Sequence, residues 1–142
     1  MLKEKYKELK LNHPKSIIFI KSGSFFITFN QDAIIINKIL NYKIKKLNND
    51  YIRVGFPISS INKVSEMLTR NEINYIIYED DIIDNIKFNH NKYNNYIAEF
   101  YSYQLAKDKI NYITDKLNDN LFNPSIINIL NEIEKVICKI NY

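Results

Sequence analysis

Residues 17–30 constrain the fold most, because they contain an apolar run, a two-residue turn signal and a second run with strand periodicity. Ile17-Ile18-Phe19-Ile20 is apolar at consecutive positions, so a strand built from it has both faces covered and belongs in the middle of a sheet. Gly23-Ser24 supplies the turn chemistry for reversal, and Phe25 to Asn30 alternates as the returning strand. Phe25, Ile27 and Phe29 then share one face of the hairpin, and Phe26 and Thr28 share the other. An aromatic side chain next to a tight turn either closes a sheet face or projects from it as a wedge.

The rest of the chain supplies partners for this hairpin. Residues 3–10 read as a short helix with Tyr6 and Leu9 on one side, closed by Asn12-His13-Pro14. Gln31-Asp32 offers the start of a second helix running through Leu40. Tyr42–Leu47 and Tyr51–Gly55 read as strands around the turn Asn48-Asn49-Asp50, and Pro57 ends the second of them. Ser59 or Ser60 is placed to cap a helix whose stripe is Ile61, Val64, Met67 and Leu68, and Asn74–Tyr78 forms a further strand. The order implies an α/β fold with a small sheet of mixed direction flanked by helices.

Beyond Glu79 the pattern changes. Residues 81–91 read as an acidic, Asn-rich connector between an α/β domain over residues 1–80 and a helical hairpin over 92–142. The first helix of the hairpin carries Tyr96, Phe100, Tyr103, Ile110 and Leu117. The second is expected to begin at Asn123-Pro124 and carries Ile126, Leu130, Ile133, Ile137 and Ile140. Such stripes close on each other, cover a face of the α/β half, or meet a second chain. Cys138, the single cysteine, falls in this pattern and is expected to be a buried thiol.

The net charge of +4 is distributed unevenly. Residues 1–80 hold 13 Lys/Arg against 8 Asp/Glu, and residues 81–142 hold 7 against 8, so the basic excess lies in the half that carries the hairpin. Lys21, Lys43, Lys45, Lys46 and Arg53 lie on or beside its strands. They form either a phosphate-tracking surface or a solvated rim that keeps edge strands apart. Glu79, Asp80, Asp81 and Asp84 are the one dense carboxylate cluster, with no calcium-loop spacing, and His13 and His90 have no partner at ligand spacing. No metal site, cofactor site or catalytic constellation is expected, so the chain is not expected to be an enzyme. No apolar stretch reaches the length of a membrane span, and the charged N-terminus is unlike a signal peptide, which gives a cytoplasmic expectation.

From Tyr6 to Glu79 the motifs follow a recognisable order. Tyr6, Leu9 and Lys10 precede Pro14 and the strand Ile17–Ile20; Gly23, Phe25 and Phe26 follow, then Phe29, Asp32-Ala33, Val54-Gly55-Phe56-Pro57 and Tyr75–Glu79. This succession resembles the N-terminal mismatch-binding domain of the MutS DNA mismatch-repair family. The resemblance implies a DNA-binding role on duplex, mismatched or distorted DNA, with Phe25 as the stacking wedge, Phe26 and Phe29 as its support, and Lys21, Lys43, Lys45, Lys46 and Arg53 as phosphate contacts. It also implies that Val54–Pro57 is a turn. Two positions depart from the family motif: Ile27 stands where the family has Glu, and Ser24 where it has Asp. An alkyl side chain makes no hydrogen bond to a base, so the departure removes the chemical reader of a mispair. A phosphate-binding loop of the G-x-x-x-x-G-K type is also missing, since neither Gly23 nor Gly55 is followed by Lys. The expectation is a stand-alone, non-enzymatic domain without the family's ATPase. The competing expectation is a protein-interaction or assembly module of a repair or mobile-element system, meeting a second copy or a partner protein through the C-terminal helices.

Overall fold

The computed structural model describes residues 1–48 and 51–140. They divide into two compact units, Met1–Phe100 and Tyr101 onward. The first contains α1 (Leu2–Asn12), β1 (Ile17–Ser22), β2 (Phe25–Phe29), α2 (Asn30–Leu40), β3 (Lys45–Lys46), β4 (Ile52–Pro57), α3 (Ile61–Arg70), β5 (Tyr75–Glu79) and β6 (Asp81–Ile86). It also holds the start of α4 (Tyr93–Asp119), which continues into the second unit; α5 (Ile126–Ile137) lies wholly in the second.

The six strands form one sheet in the order β3-β4-β2-β1-β5-β6. β1 is central, as its two apolar faces require. It pairs antiparallel with β2 and parallel with β5, so the sheet is mixed. One face packs Ile17, Phe19, Phe26, Val54, Phe56, Tyr75 and Ile77 against Ala33, Ile35 and Ile36 of α2, Val64 and Leu68 of α3, and Tyr93 of α4. The other face places Ile18, Ile20, Ile27, Phe29 and Ile76 under Tyr6 and Leu9 of α1. Each large apolar side chain removed from water in this way contributes about 1.5–3 kcal/mol.

A buried carboxylate ties the helices to the sheet. Asp32, in the first turn of α2, is wholly inaccessible to solvent. Its Oδ1 accepts from Lys10 Nζ at 2.7 Å and from the Tyr93 hydroxyl at 2.5 Å, and its Oδ2 accepts from the Ile18 amide at 3.1 Å. The Tyr6 hydroxyl lies 2.8 Å from Asp32 Oδ2 and 2.9 Å from the Phe29 carbonyl oxygen, so one proton serves two acceptors. Lys10 also donates to the Ser16 carbonyl at 2.6 Å and lies 4.3 Å from the centroid of the Tyr93 ring.

Several local expectations differ from the structure. β5 is not the final strand of its half: the stretch read as a connector contains β6, paired antiparallel with β5 from Tyr75↔Ile86 to Glu79↔Asp81. Asp and Asn weaken the strand pattern there, but backbone pairing at a sheet edge does not need an apolar face. The strand expected over Tyr42–Leu47 shrinks to Lys45–Lys46, and Asn49 and Asp50 of the expected turn lie outside the described residues. Val54-Gly55-Phe56-Pro57 is not a turn but the end of β4, with Gly55 opposite Ile27 and Pro57 opposite Phe25. Ser60 occupies the N-cap of α3 without a side-chain capping bond. The 3-10 turn Ile58–Ser60 brings the chain into the helix already coiled, with Ser60 at φ −89° and ψ −1° rather than extended.

In the second unit, α5 begins two residues after Pro124, and Cys138 is exposed rather than buried. The stripe around it is open as well, since Leu130, Ile137 and Ile140 are all exposed. Apolar spacing specifies which residues share a helix face. It does not supply the surface that covers them.

Two stability predictions follow from the first unit. Burial and the neighbouring Asp32 carboxylate raise the Tyr6 hydroxyl far above its ordinary value of 10.0. A raised pKa gives stability that is complete below about pH 10, where the unfolded tyrosine begins to ionise, and is lost above it by up to about 1.4 kcal/mol per pH unit. Lys10, lowered from 10.5 mainly by burial, acts with the opposite sign, but its contribution stops growing at 10.5. Urea unfolding from pH 9 to 12 should therefore show a decline above about pH 10.5 that is shallower in Tyr6→Phe. The second concerns Thr28, whose Oγ1 is buried with no hydrogen-bond partner among the described residues. Thr28→Val keeps the shape and removes the unpaired hydroxyl, and should raise unfolding stability by about 1 kcal/mol in the same assay.

Candidate nucleic-acid interface

The β1–β2 hairpin closes through Gly23-Ser24, with Ser22 opposite Phe25. Gly23 has φ +60°, and Ser24 is not among the positive-φ residues, which is the pattern of a type II′ turn. A side chain at position 23 would strain the backbone even though its Cβ would meet nothing within 4 Å. The turn thus fixes where β2 begins, and with it the direction of Phe25.

Phe25, Ile27 and Phe29 lie on the sheet face that α1 covers, but α1 covers only one end of it. Phe29 is buried, its ring 5.2 Å from that of Tyr6 and 5.6 Å from that of Tyr51. Ile27 is buried, and Phe25 is 48% exposed. The open end of the face is a groove of about 750 Å³ lined by Ser22, Phe25, Ile27, Gly55, Ile44 and the cations Lys43, Lys45, Lys46 and Arg53. Strand register explains part of the set: Phe25, Ile27 and Phe29 sit opposite Pro57, Gly55 and Arg53, and Arg53 sits opposite Lys45, whereas Lys46 pairs with Ile52, which packs with the opposite face.

Electrostatically the groove is one-sided. Among the described residues no carboxylate lines it, and none of its four cations forms an ion pair with a described residue. Lys21 is separate from them. It follows Phe19 at the two-residue period, pairs across the hairpin with Phe26 and is held by Glu79, which places it on the opposite face. Phe26 is buried on that opposite face, its ring 6.0 Å from that of Phe56. Of the seven residues anticipated from sequence, the structure gathers Phe25, Lys43, Lys45, Lys46 and Arg53 and leaves Lys21 and Phe26 outside.

Ser22, Ile44 and Gly55 also line the groove and were not anticipated. Gly55 stood at the end of a strand pattern where a turn accounted for it, and only its pairing with Ile27 shows a glycine inside a strand. No group of His, Cys, Asp and Glu among the described residues is arranged to hold a metal ion. No helix among them is long and apolar enough to cross a membrane.

Fold and groove together define a small mixed-sheet α/β domain with a cationic recess on a half-covered sheet face and an aromatic side chain at its rim. The sequence profile of MutS domain I matches residues 1–103, and the chain belongs to that family. The chain is similar to the DNA mismatch repair protein MutS of Christiangramia forsetii, at 34% identity over 64 residues that make up 43% of this chain and 7% of the relative. The MutS of Phocaeicola vulgatus is 31% identical over 67 residues, covering 44% of this chain and 8% of that protein. The MutS of Salinibacter ruber is 28% identical over 82 residues, covering 55% and 9%. The matched segment is thus less than a tenth of the length of each of these relatives.

Proposed function

We propose that the domain is a non-enzymatic DNA-binding module that uses Phe25 as a stacking wedge on distorted or mismatched duplex DNA, with Lys43, Lys45, Lys46 and Arg53 holding phosphates beside it. The observation that carries this reading is the half-exposed Phe25 at the rim of a groove lined by four cations and, among the described residues, by no carboxylate. Membership of the MutS domain I family supports it. Unstacking a base step costs a few kcal/mol, offset by stacking on the aromatic ring and by the extra backbone contact that bent DNA allows. Lys21, engaged by Glu79, and the buried Phe26 are outside the contact set.

Binding of a labelled mismatched duplex, followed by fluorescence anisotropy against salt, tests the reading. Four neutralised phosphates give a log–log salt slope of about −3 to −4. Phe25→Ala should weaken binding about tenfold with the salt slope retained and the unfolding midpoint little changed. Wild type and Phe25→Ala binding equally weakly at low salt would overturn it.

A second reading rests on the second unit and treats the protein as an assembly module. Tyr103, Ile110, Leu130 and Ile137 are large apolar side chains exposed along α4 and α5. Soluble proteins rarely leave extended apolar surface open unless it meets a partner. Size-exclusion chromatography with light scattering should then report a dimer or larger species that dissociates in Leu130→Glu/Ile137→Glu. A monomer at high concentration counts against it.

A further inference from the structure

Gly55 is a glycine that the fold does not require. Of the two glycines, Gly23 alone has a positive φ, so the backbone at Gly55 is open to any residue. Packing does not demand it either: a Cβ there would lie 3.7 Å from the Phe26 carbonyl oxygen and 3.8 Å from Ile27 Cγ1, both ordinary contact distances. Glycine inside a strand loses backbone entropy on folding and packs nothing, and where there is neither a turn nor a bulge, close approach of a ligand to the backbone is one cause that accounts for it.

That place is the groove. Gly55 lies directly opposite Ile27 on the open sheet face, so the lining between Phe25 and the Arg53–Lys45 pair is bare backbone and one alkyl side chain. A flat, apolar bed next to cations suits a ligand with a planar ring and a negative charge. The volume of about 750 Å³ is within the range of small-molecule sites. A base within a duplex is stacked on both faces and shows a protein only its edge. A bed of this shape takes a ring face, which only an unpaired, unstacked nucleotide presents.

Resting on the DNA-binding reading above, we infer that the Gly55 groove receives one unpaired nucleotide of a single-stranded segment, its base laid across Gly55 and Ile27 against Phe25 and its phosphate on Lys45 and Arg53. Ile27 has no hydrogen-bonding atom in its side chain, so the base is taken for its ring rather than its identity.

The test uses the full chain, a single-stranded octathymidylate and a fully paired duplex. Gly55→Leu fills the bed and should weaken octathymidylate binding tenfold or more while changing paired-duplex binding less than twofold. Octathymidylate binding by Gly55→Leu at the wild-type level overturns the inference, and so does an equal loss on paired duplex. In the first case, a loss of mismatched-duplex binding in Phe25→Ala would leave the wedge reading standing. Wild-type protein that binds no DNA at low salt overturns both. Should Gly55→Leu fail to fold, NMR titration of the wild type with thymidine 5′-monophosphate decides. Amide shifts centred on Ile27, Lys45 and Gly55 support the groove site, and shifts elsewhere or absent overturn it.

Discussion

The hydrogen-bonded burial of Asp32 is the constraint on which the first unit depends. An unpaired carboxylate inside a protein carries a desolvation penalty of several kcal/mol, so it persists only where donors replace water. Here the donors come from α1 through Tyr6 and Lys10, from β1 through the Ile18 amide and from α4 through Tyr93. The carboxylate also lies in the first turn of α2, where the free amides favour negative charge. Apolar packing alone tolerates sliding of a helix over a sheet, whereas four directional contacts to one group do not. The placement of α1 is therefore specified by Asp32 more than by the two apolar residues that α1 buries.

That placement decides which part of the sheet stays open. α1 sets Tyr6 and Leu9 over the Phe29 end of the face, and Lys10, tied to Asp32 and to the Ser16 carbonyl, holds the C-terminal turn of α1 at that end. No other helix among the described residues of the first unit covers the Phe25 end. On the opposite face α2, α3 and the first turn of α4 together cover the strands. The groove is thus a consequence of unequal coverage: one face has three helical segments and the other a single helix of 11 residues. Phe25 and Phe29 share a face and a residue type, yet one is solvent-accessible and one buried because the helix reaches only the second.

Period and turn chemistry carried most of the fold into view at the level of sequence. The central position of β1 followed from apolar residues at consecutive positions, and the hairpin followed from Gly23-Ser24 between two strands. What escaped were features whose cause is non-local. β6 is held by backbone pairing to β5 at a sheet edge, so its side chains Asp81, Asp84 and Asn85 carry no strand signal. Ser60 looked like a cap because caps are local, but the preceding 3-10 turn had already removed the extended geometry that a cap needs. Asp32 opens a helix, as its sequence context indicates, but it is also the acceptor for four distant donors, none of which is adjacent in sequence. In the groove, the cations near the sheet edge were legible from their clustering. Lys21 and Phe26 fell away because alternation along β1 and β2, combined with register, sends them to the other face.

The replacement at Ile27 and the glycine at position 55 bear on the same question from opposite strands. A polar side chain at position 27 would stand between Phe25 and Phe29 on the open face and offer a hydrogen bond to whatever lay against Phe25. Ile27 offers contact area only, and it is largely buried by its neighbours. Gly55 across the ladder then leaves no side chain to restore polarity from the partner strand. The Ile27–Gly55 pair thus carries no hydrogen-bonding side chain on either strand, while cations line the groove around it. Strong discrimination between bases needs directional donors and acceptors, since every base has a π-face and stacking alone gives only a modest preference. On the proposed reading, such a surface would distinguish ligands by whether a ring face is available and by the phosphate charge that accompanies it, and not by base identity.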